Sequence, residues 1–216
     1  MKVAFIVMIR MIILCLLSIG FVACSSGEKL AAVPTGATVL ILGDSLSYGT
    51  GAAKGEDYPT LLAQRTGWDI INAGVPGDTS AEGLTRLPRL LEKYQPTLLM
   101  IELGGNDFLR NINISQTEAN LRAIIQAAQS KNIQAVLIAI PENQPVKAAL
   151  GGLSDHPIYP KLAEENNIPL VEDIFSDVLS KNALKADYIH PNAEGYKMVE
   201  EQLRAALNEI GLLKAE

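Results

Sequence analysis

The sequence predicts an α/β protein in which a parallel sheet of about five strands lies between layers of helices. Short apolar runs alternate along the chain with amphipathic stretches, the order typical of a parallel sheet with helices on both faces. Three of the apolar runs end in glycine-containing turns, at residues 43–45, 72–74 and 104–107. Because ligands bind beyond the carboxyl ends of parallel strands, we expect the functional site at these turns.

The strands and helices can be assigned in chain order. A short, continuous apolar run predicts a strand at 38–42, and short segments rich in apolar residues predict strands at 68–72, 97–103, 134–140 and 168–171. Amphipathic stretches predict helices at 57–66, 79–94, 115–131, 158–166 and 192–212. Capping boxes at 79–82 and 115–118 mark two of the helix starts. Residues 141–157 are irregular and too long for a plain connection, so we expect a substrate loop there.

The first 23 residues are predicted to be a secretory leader. Lys2 and Arg10 precede the uncharged run 11–23, which is shorter than the roughly 20 apolar residues that span a bilayer. Phe21-Val22-Ala23-Cys24 resembles a bacterial lipobox, and that resemblance implies a lipid on Cys24. An ordinary secretory signal with an incidental cysteine is the alternative. We therefore divide the chain into a leader (1–23), a lipidated cysteine with a tether (24–36) and one domain (37–216).

Composition narrows the possible partners. Without Lys2 and Arg10, 16 basic residues remain against 24 acidic ones, a net charge of −8. No cluster of Lys and Arg suggests a surface for phosphates, so nucleic acid is not an expected partner. Both cysteines, Cys15 and Cys24, lie in or next to the leader, so we expect neither a disulfide nor a cysteine metal site in the domain.

Ser45 and His190 are the candidate nucleophile and general base. Hydrolysis by a serine requires a hydroxyl, an imidazole that accepts its proton and a carboxylate that orients the imidazole. Asp187 precedes His190 by three residues, whereas the other histidine, His156, has Leu153 in that place. Ser45 as a helix cap and His190 as a cap of the last helix are the structural alternatives.

Four segments resemble, in order, the sequence blocks of the SGNH (GDSL) hydrolases. They are Gly43-Asp44-Ser45-Leu46, Gly74, Gly104-Gly105-Asn106-Asp107, and Asp187 with His190. Residues 72–109 also resemble the periplasmic thioesterase/lysophospholipase branch. The resemblance implies a three-layer, flavodoxin-like SGNH-hydrolase fold and a Ser45, His190, Asp187 triad. It also implies an oxyanion hole formed by the N–H groups of Ser45 and Gly74 and the side-chain amide of Asn106.

The other acidic residues of these blocks are interpreted as structural. Asp44 and Asp107 are predicted to be turn or capping residues. As a glycosidase-like carboxylate pair they would leave Ser45 and His190 without a role. No H-x-x-x-H pair is present, and the predicted catalytic set needs neither a metal nor a cofactor.

The substrate is the least specified part of the prediction. Apolar residues after the third turn and in the 141–157 loop could line an acyl groove or pack those loops onto the body: Phe108, Leu109, Ile112, Ile114, Val146, Leu150 and Leu153. We expect a hydrolase of acyl esters and thioesters, aryl esters and lysophospholipids, anchored in the periplasm through Cys24, with the outer membrane favoured by Ser25. A carbohydrate O-acetylesterase and a non-catalytic binding lipoprotein are the alternatives, and the oligomeric state stays open.

Overall fold

The computed structural model describes residues 30–213, so the predicted leader and Cys24 lie outside the described residues. The strands are β1 (Thr38–Gly43), β2 (Asp69–Gly74), β3 (Leu98–Glu102), β4 (Gln134–Ile138) and β5 (Leu170–Val171). The helices are α1 (Ser45–Tyr48), α2 (Tyr58–Thr66), α3 (Ser80–Tyr94), α4 (Gly105–Leu109), α5 (Ile114–Gln129), α6 (Pro145–Leu150), α7 (Ile158–Asn166), α8 (Ile174–Leu179) and α9 (Ala193–Glu209). Of the helices described, none is long and apolar enough to cross a membrane.

The five strands form one parallel sheet in the order β2-β1-β3-β4-β5, which confirms the predicted α/β class. All five residues of β3 are buried, as are five of the six in β1, because helices cover both faces of the sheet. The chain passes from β1 to the edge strand β2 and returns to β3 on the other side of β1. That reversal opens a crevice beyond the carboxyl ends of β1 and β3, where ligands bind in open α/β sheets.

Side-chain caps set where the longer helices begin. The predicted capping box of Thr79 and Glu82 opens α3 with both of its hydrogen bonds. The box predicted at 115–118 is wrong: α5 begins at Ile114, because Asn113 accepts hydrogen bonds from the N–H and hydroxyl of Ser115. The sequence analysis missed the short helices α1, α4, α6 and α8, which have too few turns to show a 3.6-residue period.

Residues 30–36, predicted to be a structureless tether, pack across the amino-terminal edge of the sheet. The side-chain amide of Gln134, the first residue of β4, donates to the carbonyl of Ala31 and accepts from its N–H, both at 2.9 Å. Val33 is buried, and its N–H donates to the carbonyl of Leu212. The chain therefore enters the domain at the edge opposite the glycine-containing turns.

Candidate active site

Ser45 is the first residue of α1, directly beyond the carboxyl end of β1. The cap of this helix is Asp44, whose Oδ1 accepts from the N–H of Leu46 at 2.9 Å, so Ser45 is not the capping residue. At the first position of a helix, the Ser45 N–H has no intrahelical acceptor. The turn therefore presents a half-buried hydroxyl and a backbone donor at the same point.

His190 connects Ser45 to Asp187. Its Nε2 lies 2.9 Å from Ser45 Oγ, and its Nδ1 lies 2.7 Å from Asp187 Oδ2. Asp187 Oδ1 also accepts from the N–H groups of Ile189 and His190, at 2.9 and 2.8 Å. An imidazole held in this way can accept the hydroxyl proton while the carboxylate fixes its tautomer. The last helix is capped by Asn192, so capping it is not the role of His190.

Asp187 is ionised under ordinary conditions despite a competing effect of its surroundings. Partial burial acts to raise its pKa. The hydrogen bonds from His190 and from the N–H of Ile189 outweigh burial, and the pKa of Asp187 falls below its ordinary value. The carboxylate is therefore charged whenever the imidazole needs an acceptor for its Nδ1–H.

Two contacts to the turn after α1 hold the Asp187–His190 segment in place. Gly51 has φ +100, and a Cβ there would lie 2.3 Å from the carbonyl oxygen of Pro191, so only glycine lets the two segments meet. The buried Tyr196 donates its hydroxyl to the carbonyl of Thr50 at 2.8 Å. The sequence analysis assigned no role to either residue, because the partners lie about 140 positions apart.

Two of the three predicted oxyanion donors already have acceptors. Asn106 Nδ2 donates to Asp44 Oδ2 at 2.9 Å and to the carbonyl of Asp78 at 3.0 Å. The N–H of Gly74 donates to Asn72 Oδ1 at 2.9 Å. The Ser45 N–H, in contrast, has no intrahelical acceptor, and Asn106 is the second residue of α4.

Arg86 fixes the loop that reaches Asn106. Its Nε donates to Asp78 Oδ2 at 2.7 Å, and its Nη2 donates to the carbonyl of Gly43 at 2.9 Å. The loop 75–79 is thereby joined to the end of β1, immediately before the Ser45 turn. The sequence analysis did not identify Arg86, which lies in the middle of α3.

Two buried carboxyl groups lie beneath the nucleophile turn. Glu102, the last residue of β3, is fully buried, and its Oε2 accepts from Ser47 Oγ at 2.6 Å, Ser47 N at 3.0 Å and Asp44 N at 3.3 Å. Burial raises the pKa of Glu102 well above its ordinary value. Burial also raises the pKa of Asp44, to about 6, against the lowering effects of the Leu46 hydrogen bond and the His190 charge. Sequence reasoning read Asp44 as a turn residue and gave Glu102 no role.

An apolar cavity of about 260 Å³ opens at Ser45 and His190. Its apolar wall consists of Leu46, Phe108, Leu109, Ile140, Leu153, Leu179 and Ile189. Three predicted substrate residues, Phe108, Leu109 and Leu153, therefore line it. The four that were not predicted are Leu46 in α1, Leu179 in α8, Ile140 just after β4 and Ile189 beside His190.

The remaining predicted substrate residues lie elsewhere. Ile112 and Ile114 line an adjoining, more polar groove that shares Phe108 with the cavity. Val146 and Leu150 are 72% and 82% exposed and line neither of these two cavities. The reason is that residues 145–150 form the short helix α6, which carries both side chains on its outer side.

His156, the other histidine, lies in the adjoining groove. Its ring stacks on Phe108, with centroids 4.3 Å apart, and its Nδ1 accepts from the N–H of Ile158 at 3.3 Å. Partial burial lowers the pKa of His156. These contacts are those of a packed neutral side chain rather than of a base for Ser45. Between residues 30 and 213, no group of three or more His, Cys, Asp or Glu is placed to hold a metal ion.

Known proteins resemble the chain in sequence and in fold. Residues 41–198 match the model of the GDSL-like Lipase/Acylhydrolase family. The thioesterase 1/protease 1/lysophospholipase L1 of Escherichia coli (strain K12) is 37% identical over an alignment of 182 residues that covers 80% of this chain and 84% of that protein. An arylesterase of Vibrio mimicus is 33% identical over 204 residues, covering 90% of this chain and 95% of its own length.

Among solved structures, the psychrotrophic esterase EstA from Pseudoalteromonas sp., inhibited by monoethylphosphonate, superposes with a TM-score of 0.69 at 30% identity. The match covers 80% of this chain and 97% of that one. The fold of this chain therefore agrees with that of a solved esterase.

Proposed function

The chain belongs to the GDSL-like lipase/acylhydrolase family of ester-hydrolysing enzymes, and we propose that it is a serine esterase and thioesterase that acts through an acyl-enzyme. One observation carries this proposal. Ser45, His190 and Asp187 are joined by hydrogen bonds, and the first two line an apolar cavity. The substrates are acyl esters and thioesters, aryl esters and lysophospholipids, in keeping with the names of the relatives from Escherichia coli and Vibrio mimicus.

The proposed reaction has two halves. Ser45 Oγ attacks the acyl carbonyl carbon while its proton passes to His190 Nε2, and the carbonyl oxygen becomes an oxyanion. The bond to the leaving alcohol or thiol then breaks, and His190 returns the proton to it. In the second half, water attacks the acyl-Ser45 ester, gives a proton to His190, and releases the acid as Ser45 recovers that proton. Asp187 steadies the imidazolium in both halves.

The oxyanion takes the N–H of Ser45 as its first donor. Its second donor is the Asn106 Nδ2–H that donates to the carbonyl of Asp78, with 3.0 Å between nitrogen and oxygen. The oxyanion is charged and therefore the stronger acceptor, so this N–H donates to it or is shared with it. Gly74 is the third donor if its hydrogen bond to Asn72 is shared in the same way. Charge develops only on attack, so these donors favour the transition state over the ground state.

A substrate series tests the proposal and its closest alternative. The protein, its Ser45→Ala variant and a matched Ser130→Ala control, changed at an exposed serine at the end of α5, are assayed on p-nitrophenyl esters from acetyl to palmitoyl. We expect turnover that rises with chain length, is lost in Ser45→Ala and is kept in Ser130→Ala. Activity confined to acetyl esters would favour a carbohydrate O-acetylesterase. An active Ser45→Ala variant would remove Ser45 from the mechanism.

We also propose that the protein is a periplasmic lipoprotein anchored in the outer membrane through Cys24. The support is the sequence around residues 11–26 alone, which lies outside the described residues. Cells that express the protein are fed an alkyne-labelled palmitate, and Cys24→Ala is compared with Cys15→Ala as the matched cysteine control. We expect the label on the wild type and Cys15→Ala. Equal labelling of Cys24→Ala would refute the anchor.

A further inference from the structure

We infer that Asp44 is a positioning residue: its buried carboxylate holds the Asn106 amide and the Ser45 turn in one fixed relation, and must be ionised to do so. This inference rests on the proposed function. It concerns a residue that the sequence blocks alone would assign to a turn, and it ascribes to that residue a part in forming the oxyanion hole.

The geometry places one carboxylate between two catalytic segments. Asp44 is 2% exposed, and both of its oxygens accept hydrogen bonds. Oδ1 accepts from the N–H of Leu46, the residue after the nucleophile, and Oδ2 accepts from Nδ2 of Asn106, each at 2.9 Å. The carboxylate thus joins the start of α1 to the start of α4. The approach is close but not crowded, since a Cβ on Gly105 would lie 3.4 Å from Asp44 Oδ2, an ordinary contact, and 3.3 Å from Ile140.

The two hydrogen bonds require the ionised form. A carboxylate accepts at both oxygens, whereas a protonated carboxyl group turns one of them into a donor. Both partners of Asp44 are donors, so protonation would set an O–H against either the Leu46 N–H or the Asn106 amide. The amide of Asn106 would then keep only the carbonyl of Asp78 as acceptor, and its direction would no longer be fixed from two sides.

Several ionisable groups surround Asp44, and they set the pH range of this effect. Burial raises the pKa of Asp44 to about 6, the Leu46 hydrogen bond and the charge of His190 lower it, and the charge of Asp78 raises it. Asp78 is itself paired with Arg86. Glu102 lies on the side of β3, and its pKa is raised by burial and by Asp44. The nearby Tyr58, Tyr159 and Tyr196 stay neutral because burial raises the pKa of each. Asp44 is therefore ionised at neutral pH and loses its charge in mild acid.

A double-mutant cycle tests the assignment in the full-length protein. Asp44→Asn, Asn106→Ala and the double variant are compared by kcat and KM on p-nitrophenyl butyrate. We expect Asp44→Asn to lower kcat by about 10- to 100-fold with KM nearly unchanged, since one misdirected oxyanion donor affects mainly the transition state. The double variant should be no slower than Asn106→Ala alone, because Asp44 acts through that amide.

Asp107→Asn is the matched control. Asp107 is a fully buried carboxylate of the same segment, but it accepts from the N–H and hydroxyl of Ser80 and from the hydroxyl of Thr117. We expect it to lower stability and leave kcat of the folded enzyme unchanged. An equal loss of kcat in Asp107→Asn would mean that softening of the segment, and not positioning of Asn106, explains the effect.

The pH profile supplies an independent readout. Wild-type kcat/KM should fall in acid through two protonations, of His190 and of Asp44, and that of Asp44→Asn through one. Additive losses in the cycle, or identical acid limbs in the two proteins, would overturn the inference. An inactive wild type or an active Ser45→Ala variant would instead overturn the proposed function, so the two failures are distinguishable.

Discussion

Ionisation of Asp44 should lower the free energy of unfolding at the same pH values at which the carboxylate supports activity. Its pKa rises from 3.8 to about 6 because the group is buried. A folded state with the higher pKa binds the proton more tightly than the unfolded chain does, so stability falls as pH rises from about 4 to about 6, and then levels off. At about 1.4 kcal/mol for each tenfold change in proton affinity, the ionised carboxylate lowers the free energy of unfolding by about 3 kcal/mol above pH 6.

Asp44→Asn removes this pH dependence. The neutral amide resembles the protonated carboxyl group, so the two proteins should have similar stability at pH 3.5. At pH 7.5 the variant should be more stable by about 3 kcal/mol, although it is the slower enzyme. These two figures do not include a fixed cost of about 1–3 kcal/mol, from the amide donor of Asn facing another donor, which would lower the stability of the variant by the same amount at both pH values. The change in the stability difference between variant and wild type from pH 3.5 to pH 7.5 therefore reports only the ionisation of Asp44.

Urea denaturation at pH 3.5 and 7.5 measures the effect, followed by the fluorescence of Trp68, the one tryptophan of the chain and a buried residue. Asp69→Asn, at an exposed position at the start of β2, controls for the loss of one negative charge. A stability difference that changes by less than about 1 kcal/mol between the two pH values would refute the conclusion that Asp44 is ionised in a desolvated site.

Three further outcomes follow from the site. Asp187→Asn should lower kcat in ester hydrolysis by about 10²- to 10³-fold. The loss should be smaller than the roughly 10⁴-fold loss for a fully buried triad aspartate, because water reaches this half-exposed side chain. An unchanged kcat would exclude an orienting role for Asp187. For esters longer than acetyl, kcat/KM should rise by about fourfold per methylene until the cavity is filled, as expected for about 0.8 kcal/mol per buried CH₂, and a flat series would contradict acyl binding there. Gly51→Ala should lower kcat by displacing the His190 turn, since the new Cβ would meet the carbonyl of Pro191. The control Gly55→Ala changes a glycine with φ +91 that has open space around it, and it should keep normal turnover.

The sheet and the ends of its strands could be predicted because their signals are local. The run 38–42 is apolar without interruption and ends in Gly43, and the structure has β1 at Thr38–Gly43. The predicted Gly74 is the last residue of β2, and the predicted Asn106 lies in α4, which begins three residues after β3 ends. Buried parallel strands leave such runs in the sequence because both of their faces require apolar side chains.

The support around the site could not be predicted because it depends on partners distant in sequence. Glu102 closes an apolar strand, and nothing near it in the sequence indicates that its carboxyl group meets Ser47 of the first turn. Arg86 is a charged residue of an amphipathic helix, and such residues usually face solvent, yet its side chain donates to the carbonyl of Gly43. Val146 and Leu150 are predicted to line the acyl groove because they are apolar residues in a loop. Hydrophobicity alone does not give the direction of a side chain.

The entry of the chain at the amino-terminal edge determines which way an anchored enzyme would face. Leu30 is the sixth residue after Cys24, and six fully extended steps along the chain reach at most about 21 Å. A compact domain of this length has a radius of gyration of about 16 Å and is about 40 Å across. The tether is therefore too short to bring the opposite edge, with Ser45 and His190, back to the bilayer that holds the lipid. In an enzyme anchored through Cys24, the active-site opening would face away from the membrane that holds the lipid. Such an enzyme would hydrolyse lysophospholipids and esters that diffuse to it from the surrounding space rather than those in the leaflet beneath it.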